Sequence, residues 1–144
     1  MDLLKLIALD EEDLKIVSAH VQDAIVTVGN LEFWPAPRLF VVPMYRFAWE
    51  VTPGLFRRRA ERRNSVLNFN RVLAVRTLDV KRQNPGEVLP LLAIRFEASE
   101  APAGRIELIF SGGGLIALDV ECIEARLADL GGAWEAASRP AHGA

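Results

Sequence analysis

Cysteine occurs once in the chain, at Cys122, so no disulfide can close within it and a thiolate-rich zinc site is excluded. The two histidines, His20 and His142, are too far apart to form a local metal motif or a nucleophile–base pair. Lysine is scarce, 3 against 14 arginines. Long hydrophobic runs are missing as well. Leu39–Tyr45 and Leu89–Ile94 fall far short of the ~20 residues of a membrane span, which predicts no membrane insertion. The start, Met1-Asp2-Leu3, carries no basic region and no small-residue cleavage site, so no secretory signal is expected. These absences point to a reducing, cytoplasmic setting, with no metal and no cofactor.

What is present suits one domain. The chain has 144 residues and is 51% hydrophobic, enough for a single sizeable core. The expected division is one globular domain over 1–133 and a tail over 134–144, with Trp134 and Pro140 docked on the domain surface. The net charge of −2 hides a segregation. Residues 1–50 carry four basic and eight acidic side chains, residues 51–82 nine and two, and residues 83–144 four and nine. A basic centre lies between two acidic flanks.

The stretch from Gly104 to Gly132 organises the core. Ile106, Leu108 and Phe110 alternate with Arg105, Glu107 and Ser111, the period of a half-buried strand. Ser111-Gly112-Gly113-Gly114 turns the chain, and Leu115–Asp119 returns as a second strand. Asp119 is a candidate N-cap, with Val120, Ile123, Leu127 and Leu130 at helical spacing behind it and Gly131-Gly132 as a terminal cap. Leu108, Phe110, Leu118, Ile123 and Leu127 are expected to be buried together.

Upstream, Leu3–Leu9 reads as a strand. Asp10 caps a helix whose stripe is Leu14, Val17, Val21 and Ala24, with Glu11, Glu12 and Asp13 in its first turn. Ile25–Val28, Leu31–Trp34, Arg38–Glu50, Val66–Leu78 and Leu89–Ala98 carry strand patterns. Pro43 predicts an edge or a bulge for its strand. Val51–Ser65 reads as an irregular loop. Consecutive antiparallel strands with an N-terminal and a C-terminal helix predict an α+β fold. The favoured form is a mostly antiparallel, strongly bent sheet or partial barrel, similar to the pleckstrin-homology-like roll. The alternative is a two-layer sheet with both helices on one face.

Several segments together resemble a known family. They are Leu4–Asp10, Arg62-Arg63 before a strand, Arg71–Val75, Leu91–Phe96, Asp119–Ile123 and Arg139-Pro140-Ala141-His142. The chain is similar over nearly its whole length to a small bacterial family catalogued as domain of unknown function number 2948. The resemblance implies a single-domain cytoplasmic protein and carries no activity, so it assigns no site residue.

The sharpest candidate site is Arg57, Arg58, Arg59, Arg62 and Arg63, five guanidiniums within seven positions. They suit contact with anions or nucleic-acid phosphates, with Trp49, Phe56 and Phe69 near enough in sequence to stack on bases. A solvated loop, or pairing with the acidic flanks, is the alternative use of such a cluster. The triple glycine joins strand to strand with no following Lys-Ser/Thr, so it reads as a hairpin turn and not as a phosphate loop. Cys122 reads as a small core residue at a helix start. Asp119, Glu121 and Glu124 show neither a cleft nor a raised pKa for acid–base work. No catalytic residue is assigned. The leading expectation is a non-enzymatic binding or interaction module with a protein partner. A nucleic-acid accessory protein using Arg57–Arg63 is the alternative, and an enzyme of unrecognised type the third.

Overall fold

The structure, a computed structural model, describes the backbone of residues 3–52, 57–81 and 83–131, and the side chains of all these but 48–52 and 57–61. Strand β1 spans Lys5–Ala8 and helix α1 spans Glu11–His20. The Asp10 carboxylate accepts from the Asp13 amide at 2.8 Å, the cap the sequence predicts. Leu14 and Val17 are buried beneath the helix, and Val21 and Ala24 beyond it. Nine strands follow: β2 Ile25–Thr27, β3 Glu32–Trp34, β4 Leu39–Thr52, β5 Arg57–Phe69, β6 Val72–Leu78, β7 Val88–Ala98, β8 Gly104–Phe110, β9 Leu115–Val120 and β10 Ala125–Asp129. A single 3₁₀ turn, Val28–Asn30, separates β2 from β3.

All ten strands join one antiparallel sheet in the order β1-β10-β5-β4-β2-β7-β8-β9-β6, with β3 added to β4. Phe40 and Val41 pair with β5 on one side and β3 on the other, so β3 occupies the side of β4 that β2 takes up at Tyr45. The sheet must be strongly bent. Helix α1 packs mainly on β7 and β1, which lie five positions apart in the strand order. At about 4.8 Å per strand those two would be about 24 Å apart in a flat sheet, and a helix about 10–12 Å across cannot touch both. The sheet therefore wraps α1 on its concave face. Further round, the Val72 amide of β6 donates to the Arg38 carbonyl just before β4. Among the described residues no ladder joins these strands, so the sheet stays open.

The hairpin β8–β9 forms the expected centre of the core. Leu108, Phe110, Leu118, Ile123 and Leu127 are all buried in one cluster. Gly112 and Gly113 turn the hairpin at φ of 88° and 97°, a region closed to most side chains. Gly104 serves a different need, close approach. A Cβ there would lie 2.5 Å from both the Glu97 carbonyl oxygen and the Phe96 ring. Gly104→Ala is expected to destabilise the protein by about 1–3 kcal/mol through overpacking. An unchanged urea midpoint would show that β7 and β8 can part without cost.

Four expectations are corrected. The helix expected after Asp119 is a turn at Glu121–Glu124 followed by strand β10, so α1 is the one α-helix among the described residues. Ala125, Leu127 and Asp129 point inward and Arg126 outward. The inward acid conceals the two-residue alternation, and the helical spacing of Val120, Ile123, Leu127 and Leu130 is coincidental. The supposed loop Val51–Ser65 is largely strand, the outer half of the β4–β5 hairpin. Pro43 does not mark a sheet edge, because β4 lies inside the sheet. Pro43 falls between the stretch paired with β3, which ends at Val41, and the β2 contact at Tyr45, so no strand on that side needs its missing amide. The continuous strand expected over Val66–Leu78 is divided at Asn70-Arg71, where Arg71 turns the chain at φ 62°.

Candidate functional site

Two surfaces of the roll can engage a ligand. The first is the opening where the sheet fails to close. Among the described residues β3 pairs with β4 alone and β6 with β9 alone, so each has a second edge without a strand partner. The Val72–Arg38 hydrogen bond bridges the opening at one place, and Val28, Gly29 and Val80 also lie against it. The opening holds a cavity of ≈ 410 Å³. Phe40 and Ile116 line it from the core, Leu31 and Phe33 from the β3 side, and Val75 and Thr77 from β6. No titratable side chain lines it. Such a pocket offers apolar contact and two backbone edges; it offers no proton donor or acceptor side chain beyond a threonine hydroxyl.

The second surface is a ribbon. Strand β10 pairs with β5 only from Ser65 to Phe69, and β2 meets β4 only at Tyr45. From Arg46 to Thr52 and from Arg57 to Arg63 the two long strands pair with each other and, among the described residues, with no third strand. All five candidate arginines fall here. Arg57, Arg58 and Arg59 stand opposite Thr52, Val51 and Glu50 in register, Arg62 opposite Phe47 and Arg63 opposite Arg46. Arg62 is exposed, with its guanidinium carbon 5.9 Å from the centre of the Phe47 ring, within cation–π range. Tyr45, two residues earlier, is 47% exposed.

Of the aromatic residues expected to stack, Phe69 is fully buried in the core and cannot serve. Phe56 lies outside the described residues, as does the Trp49 side chain. Phe47 and Tyr45 are the aromatic residues of the ribbon whose side chains are described. The signal for them was the i, i+2, i+4 spacing of Tyr45, Phe47 and Trp49, which becomes meaningful only once Val51–Ser65 is known to be a hairpin. Trp134, Arg139, Pro140 and His142 lie outside the described residues.

At the base of the ribbon sits a buried ion pair. The Asp129 carboxylate accepts from Arg46 Nε and Nη2, both at 2.7 Å, from Ser65 Oγ at 2.6 Å and from the Leu4 amide at 2.9 Å. The side chains of Arg46 and Asp129 are 7% and 0% exposed. Burial pushes the Asp129 pKa up. The hydrogen bonds from Arg46, Ser65 and Leu4, with the guanidinium charge, outweigh it and hold the carboxyl below its ordinary value of 3.8. With every carboxylate oxygen engaged, this cluster ties β4, β5, β10 and the amino-terminal segment together. It is a structural latch.

The remaining candidates are structural. Asp119, Glu121 and Glu124 form exposed ion pairs with Arg76 at 2.7 Å, Arg38 at 2.8 Å and Arg71 at 3.6 Å. Each is worth at most about 1 kcal/mol at such exposure. Cys122 is half-buried in the turn after β9 and is not at a helix start. His20 is exposed, its Nδ1 2.9 Å from the Ile16 carbonyl. No group of three or more His, Cys, Asp or Glu gathers among the described residues. Nor is any helix there long and apolar enough to cross a membrane.

The fold therefore defines an α+β protein whose described residues form one open antiparallel sheet wrapped around a single α-helix. Residues 4–142 match the family described as protein of unknown function (DUF2948), and the chain belongs to that family. No curated protein and no solved structure matches it.

Proposed function

We propose that this protein is a non-enzymatic cytoplasmic interaction module, and that its partner inserts an extended peptide segment between β3 and β6. The observation that carries the reading is the opening of ≈ 410 Å³, lined mostly by apolar side chains, between two strand edges that have no strand partner among the described residues. A strand laid there would hydrogen-bond to backbone on one or both sides whatever its sequence. Its inward side chains would be selected by Phe33, Phe40, Val75 and Ile116, which favour apolar residues at every second position. With no charged group in the lining, an acidic or basic segment would lose hydration without compensation. As part of this proposal the roll is read as pleckstrin-homology-like, with its helix near the amino end of the chain.

Selection of phage-displayed random octapeptides against the full chain tests it. The expected result is enrichment of sequences with apolar residues at alternate positions. Their binding should weaken at least about tenfold in Val75→Glu, about 1.4 kcal/mol, because the new carboxylate would be desolvated. Recovery of charged or unpatterned peptides, or binding indifferent to that substitution in a folded variant, would reject the reading.

A further inference from the structure

The β4–β5 ribbon has the makings of a separate site, independent of the opening between β3 and β6. We infer that it binds single-stranded nucleic acid, with Arg58 and Arg62 on phosphates and Phe47 and Tyr45 beside the bases.

The charge balance gives the first argument. Between Arg46 and Arg63 the chain holds six arginines and two acids, Glu50 and Glu61. Arg46 is neutralised by Asp129 and Arg63 is also engaged, which leaves Arg57, Arg58, Arg59 and Arg62, four arginines against two acids. The acids Asp119, Glu121 and Glu124 are engaged elsewhere by Arg76, Arg38 and Arg71. Those three acids are thus paired with arginines outside the ribbon.

Register gives the second. Tyr45, Phe47, Trp49 and Val51 are alternate residues of β4, and their partners on β5 are Asn64, Arg62, Ala60 and Arg58. Strand alternation assigns this set one side of the ribbon. It combines aromatic residues and arginines at a spacing of two to four residues. The other set, Arg57, Arg59, Glu61 and Arg63 with Thr52, Glu50, Ala48 and Arg46, has no aromatic residue and both acids. One pairing of ring and guanidinium is built into this set, with Arg62 over Phe47. A cation ordered in this way loses less freedom on meeting a phosphate, and exposed aromatic rings accept any base by stacking. Unpaired bases are needed for that second contact, so a single strand suits the surface better than a duplex.

Fluorescence anisotropy with a labelled U15 or dT15 oligonucleotide, at 50 and 200 mM salt, tests the assignment on the full chain. Wild type is expected to bind at the lower salt and to weaken steeply at the higher. In Arg58→Ala/Arg62→Ala the slope of log affinity against log salt should fall by about 1.4, two contacts at about 0.7 each for a single strand. Arg57→Ala/Arg59→Ala removes the same charge from the other set and should change the slope less. Phe47→Leu should weaken binding on the order of tenfold at both salt concentrations while leaving the slope intact. Thermal melts alongside establish that each variant is folded, and Arg58→Lys/Arg62→Lys, which keeps the charge, should retain most of the slope. The inference is overturned if wild type binds neither oligonucleotide at 50 mM salt, or if the two alanine pairs are equivalent. Equal affinity for a duplex of the same length, or full displacement by polyglutamate, would also overturn it, since either would reduce the ribbon to a patch of unselective charge.

Discussion

Asp129→Ala is expected to destabilise the protein by about 3–5 kcal/mol, among the largest effects of any single substitution outside the apolar core. The change removes the carboxylate that pairs with a guanidinium itself 7% exposed, and leaves the Ser65 hydroxyl and the Leu4 amide without that acceptor. Arg46→Ala should cost a similar amount for the converse reason. Replacing both, as Arg46→Met/Asp129→Leu, should recover much of the loss, because a buried pair exchanged for apolar side chains no longer carries a desolvation penalty. Urea unfolding of the two single variants and the double variant measures this. Additive losses would show that the pair is not coupled.

The same cluster sets an acid limit. The Asp129 pKa is lower in the folded protein than its ordinary value of 3.8, so the folded state favours the ionised form. Its contribution is fully present above the unfolded-state value and is lost as pH falls through the lower folded-state value. Wild-type stability should therefore drop below about pH 3.8 by an amount that the Arg46→Met/Asp129→Leu protein does not lose. Parallel acid titrations of the two proteins would decide it, and identical curves would place the sensitivity elsewhere.

Phe110→Ala is expected to cost about 3–5 kcal/mol, since the ring is fully buried and its loss leaves a cavity that the surrounding sheet cannot collapse to fill. Phe110 stands at the end of β8, paired with Leu91 of β7, and its amide donates to Gly114 across the hairpin turn. Ile109→Ala, on the half-buried opposite side of the same strand, should cost clearly less. Comparison of the two urea midpoints tests the strand register itself, because a one-residue slip would exchange the two effects.

Periodicity alone settled the parts of the chain whose inward positions are apolar. The alternation of Ile106, Leu108 and Phe110, the glycine turn after them and the Asp10 cap of α1 all depend on neighbouring residues, and each stands in the structure as the sequence predicts. The five arginines were legible as a cluster, and the family resemblance could be read from short segments. Tertiary structure decided the rest. Strand β10 carries an acid at an inward position, and an inward acid is stable only because Arg46, Ser65 and Leu4, between 64 and 125 residues away, bring their donors to it. No local window contains that information. The arginines likewise became a ribbon because thirteen residue pairs align β4 with β5, while their charges by themselves suggested a solvated loop. The opening between β3 and β6 has no sequence signature at all. It exists because the bent sheet returns toward its own fourth strand without completing a ladder, a property of the curvature of the sheet around α1 and not of any one segment.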